Sequence, residues 1–123
     1  MNVFLLVVQA VLAVVFLMAG IMKLTQPKEK LADKMPWVTD FSQGQLRLIG
    51  VLEILGALGL IILGLTGILP WLASLVAIGL ALTMVGAILT HLRRKEYGNI
   101  ILNVILMLAA VLVAFAHFSA VLA

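Results

Sequence analysis

Four apolar stretches, each about as long as a bilayer is thick, constrain this chain more than any other feature. They cover roughly residues 3–22, 46–65, 70–92 and 100–118, and a hydrocarbon core of ~30 Å takes ~20 helical residues to cross. Inside hydrocarbon only helices and closed barrels satisfy every backbone N–H and C=O. The stretches are continuous, without the alternation of barrel strands, so four membrane-spanning helices are predicted. Hydrophobic residues make up 65% of the chain and charged residues 11%, whereas soluble domains run near half and a quarter. A soluble enzyme, a nucleic-acid-binding module and a disordered tail are thereby excluded. The 123 residues read as one transmembrane domain, an all-α integral membrane four-helix bundle. There is no cysteine, which removes disulfides, thiol relays and Cys-ligated metals.

The first stretch lacks a basic leader and is too long for the apolar region of a signal peptide, so it reads as a retained span. Its only polar interruption is Gln9. Pro70 takes a favoured first helical position at the start of the third span.

All eight Lys and Arg side chains fall on one side of the bundle. Lys23, Lys28, Lys30, Lys34 and Arg47 border the first loop, and Arg93, Arg94 and Lys95 fill the third. The second loop and both terminal segments carry none. The positive-inside rule then places loops one and three in the cytoplasm and both termini outside. The same distribution accounts for the net charge of +3 without a nucleic-acid partner. It implies attraction to anionic lipid headgroups.

The first loop is the only sizeable one. Pro27 and the segment Lys28 to Met35 read as a short amphipathic helix lying on the membrane surface. Trp37 and Phe41, with Trp71 and Tyr97 at other span ends, are expected as interfacial anchors. Otherwise the loop reads as a solvated connector. Ser42 and Gln45 have capping-box spacing and are expected to start the second span.

Small or polar residues recur at spacings of three and four on each span, which places them on one helix face. The sets are Gln9, Ala13, Phe16, Gly20 and Lys23; Gly50, Glu53, Ala57 and Gly64, beside Gly56; Gly79, Thr83, Gly86 and Thr90; and Asn103, Ala110, Ala114 and His117. Such faces let membrane helices approach closely, so all four stripes are expected along the bundle seam.

Depth narrows the functional reading. At ~1.5 Å per residue, Glu53 lies ~9 Å beyond Arg47 and Asn103 ~9 Å beyond Tyr97. Lys23 closes the first span on that side and His91 closes the third. Lys23, Glu53, His91 and Asn103, one from each span, are thus expected to converge at the cytoplasmic end as a ligand-binding cluster. Lys23 is the natural partner for Glu53, since an unpaired carboxylate in a low dielectric would be neutralised. An intramembrane ion pair marks function by default, and the alternative is a pair that only fixes helix register. Asn99 is expected to cap the fourth span. Gln9 and His117 sit toward the other face, with His117 interfacial. The two histidines are at opposite ends, so neither a metal site nor a bis-His haem is expected.

Several of these segments resemble the DoxX-like family of small bacterial membrane proteins. The resemblance rests on Met18-Ala19-Gly20-Ile21-Met22-Lys23-Leu24, on Arg47-Leu48-Ile49-Gly50-Val51-Leu52-Glu53 and on Gly56-Ala57-Leu58-Gly59-Leu60. Thr66-Gly67-Ile68-Leu69-Pro70, His91-Leu92-Arg93-Arg94-Lys95-Glu96 and Asn103 complete it, over essentially the whole chain. It implies a four-span protein of the bacterial inner membrane, with the family's Lys and Glu at Lys23 and Glu53. Through the association of the family's namesake with membrane sulfur oxidation, it also implies a lipophilic redox partner such as quinone and a membrane oxidoreductase nearby.

Three active roles and one passive role follow. An accessory or ligand-binding subunit would hold a quinone-like molecule or lipid in an apolar pocket with a few polar groups. Lys23 or His91 would donate to a carbonyl, and Glu53 would orient them or take a proton. A proton-linked small-solute transporter or channel needs polar groups along its whole path and, with four spans, a homo-oligomer. An enzyme would need Glu53 and His91 within hydrogen-bond reach, and the sequence offers no nucleophile and no motif for a bound cofactor. A purely structural membrane subunit is the passive role. The binding role is the expectation carried forward, with membrane lipids, a membrane oxidoreductase and further copies of the chain as partners.

Overall fold

The computed structural model describes residues 3–122, with side chains as far as Ser119. The elements run α1 (Val3–Thr25), α2 (Lys28–Lys34), a 3-10 turn (Pro36–Asp40), α3 (Gln43–Thr66), α4 (Pro70–Arg93) and α5 (Tyr97–Leu122). Four of them, α1, α3, α4 and α5, are long and apolar enough to cross a membrane. They start or end a few residues outside the apolar runs because local chemistry, not hydrophobicity, stops a helix.

The start of α3 shows that chemistry. The Ser42 Oγ accepts the Gln45 N–H at 3.1 Å and the Gln45 side chain accepts the Ser42 N–H at 2.9 Å, so two otherwise orphaned donors are satisfied. At its far end α3 stops on Gly67, whose left-handed φ of 69° sends its N–H back to the Leu63 carbonyl. Glycine adopts that conformation without a Cβ clash. Three residues later Pro70 opens α4. A second short link joins α4 to α5. α5 begins at Tyr97, so Asn99 lies inside its first turn and is not the expected cap.

The bundle is two antiparallel hairpins, α1 with α3 across the long first loop and α4 with α5 across the short third one. In the first, main chains touch. A Cβ added at Gly20 would lie 2.7 Å from the Gly50 carbonyl oxygen, and one at Gly50 2.7 Å from the Gly20 carbonyl oxygen. Any larger residue at either position would drive the helices apart.

The hairpins meet over the half of the bundle away from loops one and three, here the distal half. Leu12, Ala13 and Phe16 of α1, Ala57 and Leu60 of α3, Ala77, Leu80, Ala81 and Met84 of α4, and Ala110, Val113 and Ala114 of α5 form one buried core. The stripes expected on α1 and α5 are buried as anticipated, and so are Gly50, Glu53 and Ala57 on α3. The stripe expected on α4 is not the packing face. Gly79 and Gly86 are exposed, and a Cβ at either would meet nothing within 4 Å. The buried face runs instead through Ala73, Ser74, Ala77, Leu80, Ala81 and Met84 to His91. Its small members, Ala73, Ser74, Ala77 and Ala81, let the neighbouring helices approach, and Leu80 and Met84 fill the space between them.

Candidate ligand-binding cavity

In the proximal half, beside loops one and three, the hairpins separate around a cavity of about 580 Å³. Each span contributes to its wall, with Phe16 and Lys23 from α1, Glu53 from α3, Thr83, Met84 and His91 from α4, and Asn103 and Leu106 from α5. The four residues expected to form a cluster, Lys23, Glu53, His91 and Asn103, therefore all border one space, and all four are buried.

The Lys23–Glu53 pair follows from helix geometry. Gly20 and Gly50 set α1 and α3 at one height, and the two partners stand three residues from that contact in opposite directions along the axis. Cβ atoms tilt toward a helix's N-terminus, so on antiparallel helices these two side chains lean toward each other. Lys23 Nζ donates to Glu53 Oε1 at 2.6 Å, with only 10% and 2% of the side chains exposed. Desolvating both ions is costly, and the close contact offsets that cost only while both partners remain.

The first loop is neither a bare connector nor set apart from the spans. α2 buries Leu31, which packs with Val38 and Leu46 in a small second core. The 3-10 turn then carries Trp37 across the cavity, so Trp37 and Phe41 line it where they were expected as membrane anchors. Lys23 Nζ lies 5.3 Å from the centre of the Trp37 ring, within cation–π range. Trp37 also meets Phe41 and His91 edge-on, at 5.7 and 6.1 Å between ring centres. This strap, formed by the 3-10 turn and Phe41, is held from outside by the third loop. Arg94 donates to Asp40 at 3.0 Å and to the Thr39 hydroxyl at 3.3 Å, and Arg93 reaches Asp40 at 3.4 Å. Loops one and three thus share one end of the molecule.

His91 faces two ways. Its ring borders the cavity, while Nδ1 lies 2.9 Å from Glu96 Oε1. A carboxylate only accepts, so Nδ1 carries the proton in this bond. That hydrogen bond, with further help from Arg94, holds the Glu96 carboxyl below the usual carboxylate range.

Asn103 differs from its neighbours. It is 8% exposed and lines the cavity, and its Nδ2 has no hydrogen-bond partner among the described residues. The Thr83 and Thr90 hydroxyls in the same wall each donate to a carbonyl one turn back, those of Gly79 and Gly86, at 3.0 Å. Only their lone pairs remain for a guest.

The distal polar groups form a separate, closed set. Gln9 Nε2 donates to the Leu60 carbonyl at 2.6 Å, and Gln9 Oε1 accepts from His117 Nε2 at 3.0 Å. His117 is buried, not interfacial, because Gln9 supplies a partner inside the bundle. Ser74, which lay in no stripe, donates to the Ala114 carbonyl at 2.9 Å and ties α4 to α5.

Two features of the cavity were not legible in the sequence. Trp37 carried a signal only as an aromatic near a span end, and its fold back over Lys23 depends on the strap. The spacing of Thr83, Gly86 and Thr90 predicts a place in the seam, and they line the cavity wall instead. Among the described residues no group of three or more His, Asp or Glu side chains is disposed to hold a metal ion. Comparison with known families finds a match over residues 7–115 to the DoxX-like family. No curated protein and no solved structure matches the chain.

Proposed function

We propose that this chain, which belongs to the DoxX-like family, is a ligand-binding accessory protein of a multi-pass membrane assembly. Its guest is a lipophilic, quinone-like molecule held between the two hairpins. The observation that carries this reading is the cavity itself. A volume of about 580 Å³ bordered by a buried ion pair and a tryptophan face fits small-molecule sites, which run ~300–1,000 Å³ with apolar walls and a few placed polar groups. In this reading Trp37 lies against the guest's ring, Lys23 and His91 stand at its polar end, and the tail follows Phe16, Met84 and Leu106. Glu53 keeps Lys23 in place.

A holding role is favoured over a passing one by the apolar layer of Leu12, Phe16, Leu80, Met84 and Val113. It separates the cavity from the distal Gln9–His117 pair. We place loops one and three in the cytoplasm of a bacterial inner membrane, with both termini outside, on the positive-inside count alone. The membrane oxidoreductase and further copies of this chain remain the proposed partners.

Mass spectrometry of small molecules co-purifying with the protein tests the reading. The wild type should carry a quinone or related isoprenoid, and a variant combining Lys23→Met with Glu53→Gln should lose most of it. Equal recovery from both proteins, or none from the wild type, would overturn it.

A further inference from the structure

The Asn103 carboxamide is a buried donor that the fold leaves unused. Helix interiors in membranes ordinarily pair such groups across helices, because no water competes for them. A buried donor without a partner is costly relative to a satisfied one. Four other polar side chains of the wall each already make one hydrogen bond. Lys23 donates to Glu53, His91 to Glu96, and the Thr83 and Thr90 hydroxyls to α4. The ions in the depth are matched one to one, so that part of the cavity has no uncompensated charge. Lys34 also borders the space, but it is exposed at the rim, where water and salt screen it.

From these observations we infer that Asn103 sets the ligand class: the site takes an uncharged molecule whose oxygen accepts a hydrogen bond from the Asn103 amide, and it rejects lipophilic anions. The inference rests on the cavity being a binding site, as proposed above. Nδ2 is occluded as the side chain stands. The terminal torsion of asparagine is soft, so a turn of the carboxamide presents its N–H to a guest carbonyl. A carboxylate guest would have to shed its hydration with no unpaired cation in the depth to receive it. A pure hydrocarbon would leave the donor orphaned.

Binding can be followed in detergent, in a Trp71→Phe background, through quenching of Trp37 fluorescence by decyl-benzoquinone and the relief of that quenching when two non-quenching probes of equal chain length compete. Decyl-benzoquinone is neutral and carries acceptors, decylbenzene is neutral and carries none, and decanoate is anionic. The expected order places decyl-benzoquinone tightest, by ~10-fold or more. Asn103→Leu should remove that advantage, and Asn103→Ala should repeat the result if the leucine variant fails to fold. The comparison of probes on the protein with Asn103 intact needs no variant at position 103. Decyl-benzoquinone binding equally well with and without Asn103 would overturn the role of Asn103 and leave the cavity reading standing. Decanoate or decylbenzene matching the quinone on the protein with Asn103 intact would overturn the ligand class. No quenching by decyl-benzoquinone would overturn both this inference and the binding role.

Discussion

The two ends of the bundle use similar residues to opposite effect. At the distal end alanines at Ala57, Ala77, Ala110 and Ala114 let the hairpins close on each other, and Gln9, His117 and Ser74 each find a partner. At the proximal end Lys23, Glu53, His91 and Asn103 stand where the hairpins part, and the gap is roofed by the strap. One end satisfies its polar groups to bind helix to helix. The other keeps space and leaves a donor unsatisfied, as a binding site does and a structural seam does not.

One of the two largest effects expected on this contrast comes from the main-chain contact. Gly50→Ala should cost about 3 kcal/mol or more, because the new Cβ meets backbone that cannot turn aside. Gly79→Ala, open on all sides, should be neutral or gain up to ~1 kcal/mol from helix propensity. Thermal unfolding in detergent reads both. Similar melting temperatures for the two variants would remove the contact as the feature that positions the ion pair.

Next come the polar pairs. Lys23→Met or Glu53→Gln alone should cost ~3–5 kcal/mol by orphaning a buried ion, and the double variant should cost much less than the sum. Gln9→Leu should cost only ~1–2 kcal/mol and leave Trp37 quenching by ligand unchanged. If Gln9→Leu abolished binding while the double variant preserved it, the functional end would be the distal one.

The smallest effect belongs to the clasp on the strap. Asp40→Asn should cost under ~1 kcal/mol, since the pairs are partly exposed and such bridges are weak, yet it should shift Trp37 emission. The Glu96 carboxyl is held low by His91 and then Arg94. Its contribution is therefore complete above the ordinary carboxylate range and is lost only as the pH falls through its lowered value. Trp37 emission should stay level through mild acidity and change in more acid solution, and Glu96→Gln should remove that step. A change already complete at mildly acidic pH would show that another group governs the strap.

How much of this was legible in the sequence depended on where each signal lay. The four spans, the Ser42 cap and the Lys23–Glu53 pair follow from length, spacing and depth, which a single chain displays. The α4 face did not, because small residues mark a close approach only where a neighbour is close, and glycine next to an open space has the same spacing. Ser74 carries no sequence signal for a related reason: a serine whose hydroxyl bonds to a carbonyl on another helix looks like any other. Trp37 depended on a tertiary fold-back and His117 on a partner far away in the chain. The local pattern carries neither.

The touching backbones of Gly20 and Gly50 have a mechanical consequence. Their separation is set by hard contact and owes nothing to side-chain torsions, so α1 and α3 behave as one stiff beam. Any breathing of the chamber beside them must therefore come from the other pair swinging, with the three-residue link at Gly67 as its pivot.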